Sequence, residues 1–180
     1  IDSDIDEIIT RTQDILKQFA NKHIILTGGR GFLGRYLTEV FFKYNEILDK
    51  PIKLTVVDNL SVSGDLGSIW PNYNNFKFIK SDASKQIHLE KDVDFIVHAA
   101  GIASPFYYRS KPLETLDVAV NGLRNVLNSA FEKNAKVIFF SSSEIYGDPD
   151  PRFVPIKESY RGNVNTMGPR ACYDEGKRLG

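Results

Sequence analysis

Cysteine is nearly absent from this chain. Cys172 is the only one in 180 residues, which excludes an internal disulfide framework and any cysteine-built zinc site. Histidine is almost as scarce: His23, His88 and His98 lack the spacing that a metal site needs, and no metal is expected. Net charge is missing too. With 23 basic residues against 23 acidic ones, no overall field draws the chain to nucleic acid or to an anionic membrane. No apolar run reaches membrane-spanning length, no secretory core is found, and no segment repeats. Without a signal peptide, Asn59-Leu60-Ser61 reads as a chance glycosylation match. A protein of the cytoplasm is therefore expected, although Ile1 rather than Met opens the chain and leaves upstream residues, including any membrane anchor, an open matter.

What is present is a 42% hydrophobic content, enough to bury one substantial core, distributed in alternating patterns. Residues 4–20 place Ile5, Ile8, Ile9, Ile15, Leu16 and Phe19 at helical spacing, behind acidic residues. "HIILT" (23–27) is a short, continuously apolar run, as expected of a strand buried on both faces. "RYLTEVFFKYNEIL" then predicts a helix, and "IKLTVVD" (52–58), "FKFIKSD" (76–82) and "VDFIVHAA" (93–100) predict strands. A long helical period comes next over 112–134, and "KVIFFSSS" (136–143) predicts a fifth strand. Strands alternating with helices indicate an α/β fold with a doubly wound parallel sheet of Rossmann type. The division expected is a helical extension over 1–21 and a nucleotide-binding domain over 22–180.

Two stretches carry chemistry. "TGGRGFLG" sets Gly28, Gly31 and Gly34 as GxxGxxG between the first strand and its helix, with Gly29 beside them. The first glycine permits the tight turn, the middle one lets backbone amides approach a pyrophosphate, and the last lets the helix pack closely on the sheet. The helix N-terminus then faces the phosphates with partial positive charge. Asp58 ends the second strand, where a carboxylate accepts from both adenosine-ribose hydroxyls and repels a 2′-phosphate, favouring NAD over NADP. Arg30, inside the glycine loop, could touch a phosphate or face solvent. Tyr173 and Lys177, in "GPRACYDEGKRLG", stand four residues apart and so share a helical face. Alone, that pair fits a catalytic couple or an ordinary surface contact.

The order of "TGGRGFLG", "VVDNL", "SDA", "HAAG", "SSSEIYGDP" and "CYDEGKR" resembles the extended short-chain dehydrogenase/reductases that modify nucleotide sugars, the NAD-dependent epimerase/dehydratase family. "ASPFYYRSKP", "SSSEIYGDP" and "MGPRACYDEGKR" look most like the UDP-glucuronate decarboxylases (UDP-xylose synthases). The resemblance runs from about residue 22 to the end and implies that the chain is the N-terminal portion of such an enzyme, with the C-terminal substrate subdomain beyond Gly180. It makes Tyr173 the base at the sugar 4-hydroxyl. A free tyrosine titrates at about 10, so Lys177 assists by its charge and also binds the nicotinamide ribose. Ser142 hydrogen-bonds the reacting oxygen, and Glu144 lies beside the sugar.

NAD contacts implied by the resemblance are Gly28, Gly31, Phe32, Leu33, Gly34, Asp58, Asn59, Asp82, Ala83, Ala99, Ala100 and Gly101, together with Tyr173 and Lys177. Substrate contacts are Ser104, Tyr108, Ser143 and Arg170. Asn121 matches an Asn of the following helix, and His98 reads as a packing residue at a strand end. Ser143-Glu144 replaces the Asp-Glu pair of the 4,6-dehydratases, and 4-epimerases generally lack the glutamate. The expected reaction is therefore decarboxylation of UDP-glucuronate to UDP-xylose through a 4-keto intermediate, with NADH recycled internally. A nucleotide-sugar 4-epimerase, less so a dehydratase, and a catalytically silent NAD-binding module are the alternatives. A UDP-linked sugar and a second copy of the chain, as a homodimer, are the partners expected. Two departures stand out: Gly101 and Ile102 occupy positions usually held by Ser and Pro, and "NLSVSGDL" lacks the basic residue common after the second strand.

Overall fold

The computed structural model describes residues 2–64, 70, 73–87, 89 and 92–180. His88 and the Asp65–Leu66 end of "NLSVSGDL" lie outside the described residues. The five strands are β1 (His23–Thr27), β2 (Lys53–Asp58), β3 (Phe76–Lys80), β4 (Phe95–His98) and β5 (Lys136–Phe139), all paired in parallel in the order β3-β2-β1-β4-β5. Each parallel pair needs a crossover, and helices supply it between β1 and β2 and between β4 and β5. The order reverses between β1 and β4. A doubly wound sheet opens its crevice at that point, beyond the carboxyl ends of the strands.

The elements match the expected periodicity with trimmed ends. The first helix, α1, is Asp2–Leu16, followed by a short 3₁₀ turn over Lys17–Phe19. Ile5 and Leu16 are buried in the same cluster as Ile24, Leu26, Leu54 and Val56, so α1 packs into the sheet's own core. Its acidic start is tied to α2 (Phe32–Asn45) by Asp6–Lys43 at 2.6 Å and by the Tyr36 hydroxyl donating to Asp4 at 3.1 Å. β4 stops at His98 rather than running to residue 100: Ala99 still donates its N–H to the Thr27 carbonyl at 3.1 Å, but Ala100 turns to the Thr27 hydroxyl, and both pack on the Gly28 turn. β5 stops at Phe139 rather than 143, since the Phe140 carbonyl is bonded to the Lys177 ammonium.

The long helical stretch is resolved into α4 (Pro112–Asp117), a π-helical turn (Val118–Gly122) and α5 (Leu123–Lys133), preceded by the short α3 (Pro105–Ser110). The extra residue of a π turn rotates the helix beyond it, a device often found beside functional sites. Here it puts Ala119 and Gly122 inward and leaves Asn121 exposed, its side-chain amide donating to Asp117 at 3.1 Å. The chain closes with α6 (Ala171–Leu179), which packs against α4 and the π turn. Gly176 makes this approach possible: a Cβ there would lie 2.8 Å from that of Ala119.

His98 is fully buried at the end of β4, and burial, followed by the nearby charge of Lys177, pushes its pKa from 6.5 down to about 4. Folding therefore favours the neutral ring. That contribution is complete above the unfolded value near 6.5 and is lost as pH falls towards 4. Its full size is about 3 kcal/mol, from about 1.4 kcal/mol for each pH unit. Asp82, Asp94 and Asp150, held below their ordinary range, lose their contributions only at the lower edge of this window and beneath it, and Asp174, pushed up by burial, works in the opposite sense there. Urea unfolding between pH 7.5 and 4 should show stability falling through this window. His98→Phe, which keeps a ring without a proton, should flatten the fall; a variant with the parent's profile would refute the assignment.

Candidate functional site

The groove at the carboxyl edge of the sheet begins at the turn after β1. Gly28 adopts φ +74, and a side chain there would stand 2.6 Å from the Ala100 nitrogen. A Cβ on Gly34 would fall on the Gly28 carbonyl oxygen, so α2 starts as close to the turn as a backbone can come. Its cap residue, Gly31, offers no side chain, which leaves the first-turn N–H groups and their partial positive charge directed at the groove. Arg30 neither lies in the groove nor faces solvent. It is 5% exposed, and its guanidinium rests 5.0 Å over the Trp70 ring.

The far end of the groove is acidic. Asp58 accepts the Arg30 N–H at 2.9 Å and the Leu60 N–H at 2.8 Å, one on each oxygen, so the carboxylate is held rigidly with outward lone pairs to spare. Asn59 donates to Asp82 at 3.3 Å, and Ser84 gives Asp82 both its N–H (2.9 Å) and its hydroxyl (2.8 Å). Burial of Asp82 opposes its charge, but these bonds and Lys85 outweigh it and hold the carboxyl below the usual carboxylate range. Gly28, Gly31, Phe32, Asp58, Asn59, Asp82, Ala83, Ala99, Ala100, Gly101 and Ser104 all line this groove, whose volume is about 420 Å³. A hollow of about 530 Å³ between α1 and α2 is larger but lies away from the strand ends.

Leu33 and Gly34 do not line the groove: Leu33 is half-exposed on α2 and Gly34 is buried beneath the turn. The remaining predicted residues gather around the end of β5 and α6. Lys177 is 8% exposed; its ammonium donates to the Phe140 carbonyl at 2.6 Å and lies 5.0 Å over the Phe139 ring. Burial pushes its pKa below the usual lysine value. A Cβ at Gly101 would stand 3.6 Å from that ammonium, so Lys177 reaches the groove at its Gly101 rim. Tyr173 stacks on Tyr108, ring centres 5.5 Å apart and planes at 20°, and Tyr108 is buried, 4% exposed. Ser142 accepts the Glu144 N–H at 3.3 Å and caps the 3₁₀ turn Ser143–Tyr146, on which α6 packs. Arg170 donates to the Glu144 carboxylate. Ser143 is exposed.

Several groove residues were not anticipated from sequence. Ile102, Lys111, Glu114 and Val118 line it because the Ile102–Ser104 segment and α4 fold over its near side. Only the spacing from "HAAG" to the helix signalled that such a wall exists. Thr27 bonds His98 Nδ1 at 2.7 Å and accepts the Ala100 N–H at 3.3 Å, tying β1 to β4 under the groove. Among the described residues there is no cluster of metal-binding side chains and no helix long and apolar enough to cross a membrane.

A family model described as "NAD dependent epimerase/dehydratase family" matches residues 24–180. The chain is 39% identical over 166 residues to UDP-glucuronic acid decarboxylase 1 of Danio rerio, covering 91% of this chain and 37% of that protein. It is 38% identical over 163 residues to UDP-glucuronic acid decarboxylase 6 of Arabidopsis thaliana, covering 89% of this chain and 44% of that protein. The chain thus spans less than half the length of these curated relatives. Among solved structures, it resembles the UDP-N-acetylglucosamine 4-epimerase from Methanobrevibacter ruminantium M1 in complex with UDP-N-acetylmuramic acid. The TM-score is 0.64 at 29% identity, covering 88% of this chain and 48% of that one.

The glycine turn gives a graded test. Gly34→Ala drives a methyl group into the Gly28 carbonyl and the backbone of Gly29, and overpacking of this kind typically costs about 1–3 kcal/mol. Gly101→Ala meets only the end of the Lys177 side chain, at an ordinary contact distance of 3.6 Å. Thermal unfolding should show a clear loss for the first and almost none for the second. Equal losses would mean that the close approach of α2 is not what Gly34 provides.

Proposed function

The chain belongs to the NAD-dependent epimerase/dehydratase family, and from that premise we propose that it is the NAD-binding and catalytic portion of a UDP-glucuronate decarboxylase. The observation that carries this reading over its sister reactions is the 39% identity to a UDP-glucuronic acid decarboxylase, spread over nine-tenths of the chain. The residues present suit the dinucleotide. The glycine turn admits no side chain where a pyrophosphate would approach, the uncapped α2 N-terminus faces the same place, and Asp58 stands at the end where an adenosine ribose would lie. Bound NAD supplies an acceptor that takes a hydride from the sugar and returns it within the same cycle.

In this proposal the protein's residues divide the work. Tyr173 takes the proton from the 4-hydroxyl and gives it back at the end of the cycle. Its oxygen needs a cation nearby to function as a base at neutral pH, and Lys177, one helical turn along and pinned at the groove's rim, supports that role. Ser142, at the start of the 3₁₀ turn, donates a hydrogen bond to the same sugar oxygen. Glu144 lies beside the sugar, its carboxylate accepting a hydrogen bond from Arg170, and with Ser143 rather than an acid before it there is no acid–base pair for removing water. The 4-ketone then accepts the electron pair of the broken bond as CO₂ leaves C5, and the enolate so formed takes a proton from water at C5 before C4 is reduced again. A homodimer and a cytoplasmic location complete the proposal; the outward Leu127 and Phe131 of α5, the latter 90% exposed, support self-association, and the free thiol of Cys172 suits a reducing compartment.

Three measurements on the complete polypeptide that carries this chain test the reading. Incubated with UDP-glucuronate, it should release CO₂ and a UDP-pentose without net consumption of NAD. Products of unchanged mass would favour an epimerase, and loss of water from a nucleotide-linked hexose a dehydratase. Tyr173→Phe should keep folding and NAD binding while turnover falls about 10²–10⁴-fold, the usual range for a lost general acid–base; near-parental turnover would remove Tyr173 from the chemistry. Asp58→Ala should narrow the preference for NAD over NADP, because a charged hydrogen bond of this kind contributes about 1.5–3 kcal/mol. Equal affinity for the two cofactors in the parent would overturn the cofactor reading.

A further inference from the structure

Lys177 is carried by α6, yet the groups that hold its ammonium come from the last residue of β5 and the one after it. One of its three donors is satisfied by the Phe140 carbonyl at 2.6 Å. At 8% exposure little water remains to stabilise the charge, and the compensating surface is the face of Phe139, whose ring centre lies 5.0 Å away. Phe139 is itself braced. It pairs in register with His98, and the two rings stack with centres 6.0 Å apart and planes at 19°. His98 is fully buried and fixed through Nδ1 to the Thr27 hydroxyl at 2.7 Å, and Thr27 is its register partner in β1. Thr27, His98 and Phe139 thus form one row across the carboxyl ends of three strands, running from the base of the glycine turn to the lysine.

We infer that Phe139 is a positioning residue: its ring face, backed by His98, sets where the Lys177 ammonium rests. It thereby governs both the grip on the cofactor ribose and the charge presented to Tyr173. The inference rests on the role given to Lys177 above. Any apolar residue would fill the volume of Phe139, but only an aromatic ring offers a cation a negative face. Phe139→Leu keeps an apolar side chain and removes the face, Phe139→Tyr keeps both, and Lys177→Met keeps the stem and removes the charge. These substitutions separate a packing role from a positioning one.

The experiment measures NAD affinity by calorimetry, and kcat and KM, for the complete polypeptide carrying Phe139→Leu, Phe139→Tyr, Lys177→Met and the Phe139→Leu/Lys177→Met double variant. Phe139→Leu should weaken NAD about three- to tenfold, the span expected of a desolvated cation–π contact, and should lower kcat while leaving the KM for the sugar nearly unchanged. Phe139→Tyr should restore both. With Lys177→Met already present, Phe139→Leu should cost no further NAD affinity, because the two act on one contact. An equal cost in both backgrounds, or no cost beside an intact Lys177, would overturn the inference and leave Phe139 as core packing. If Phe139→Leu fails to fold, Phe139→Met takes its place in the same cycle. Retention of full turnover and NAD affinity by Lys177→Met would instead overturn the catalytic reading of Lys177, and this inference with it.

Discussion

Gly28 leaves β1 at φ +74 with the backbone of Ala99 and Ala100 pressed against it, at a distance where a methyl group would overlap both. Gly34 repeats the condition from the other side, with α2 starting on top of the Gly28 carbonyl. The working edge of the sheet depends on this three-way backbone contact. It holds the residues that follow β4 against the turn, so that residues 99–101 become a wall of the groove. It also aims α2 so that its uncapped N-terminus opens at that wall. Larger residues at either glycine would push the helix back and close off the approach to its N–H groups. The core beneath is ordinary by comparison: β1 and the centre of β2 are buried along their lengths, as both-sided burial requires of parallel strands.

A second constraint works at the opposite rim. Burying Lys177 removes the hydration of a full charge, which folding must offset with fixed partners. The fold does so by bringing three elements together. Gly176 lets α6 close on Ala119 of the π turn, β5 ends early so that the Phe140 carbonyl can turn to the ammonium, and Phe139 offers its ring. Each is a local irregularity in an otherwise regular α/β alternation, and all three converge on one side chain. Irregular geometry gathered at one polar group is where function, rather than stability, explains the arrangement.

These irregularities also mark what sequence could and could not supply. The strands and helices were legible because both-sided burial and helical periodicity leave repeating patterns, and β1 matches its apolar run residue for residue. The glycine turn and Asp58 were legible because their residue types answer a backbone requirement and a charge requirement. The π turn was not: Val118–Gly122 carries the same apolar period as the helices around it, and only the packing of α6 through Gly176 shows why the chain widens there. Arg30 left two positions open and takes neither, because the partner that claims it is Trp70, forty residues away and on no shared element. Tyr108 was expected at the substrate, and its stacking against Tyr173 was not foreseen. In each case the missing information was a contact distant in sequence.

The charges along the groove show why its two ends are not interchangeable. Asp58 and Asp82 stand at one end, the former with a backbone N–H on each oxygen and the latter held well ionised by Ser84 and Asn59. The α2 N-terminus contributes partial positive charge at the middle, and Lys177 a full positive charge near the Gly101 rim. A ligand with hydroxyls at one end, phosphates at its centre and a further sugar beyond meets acceptors, donors and a cation in that order. The single buried lysine is the part of this order of charges which a change in packing around Phe139 would disturb first.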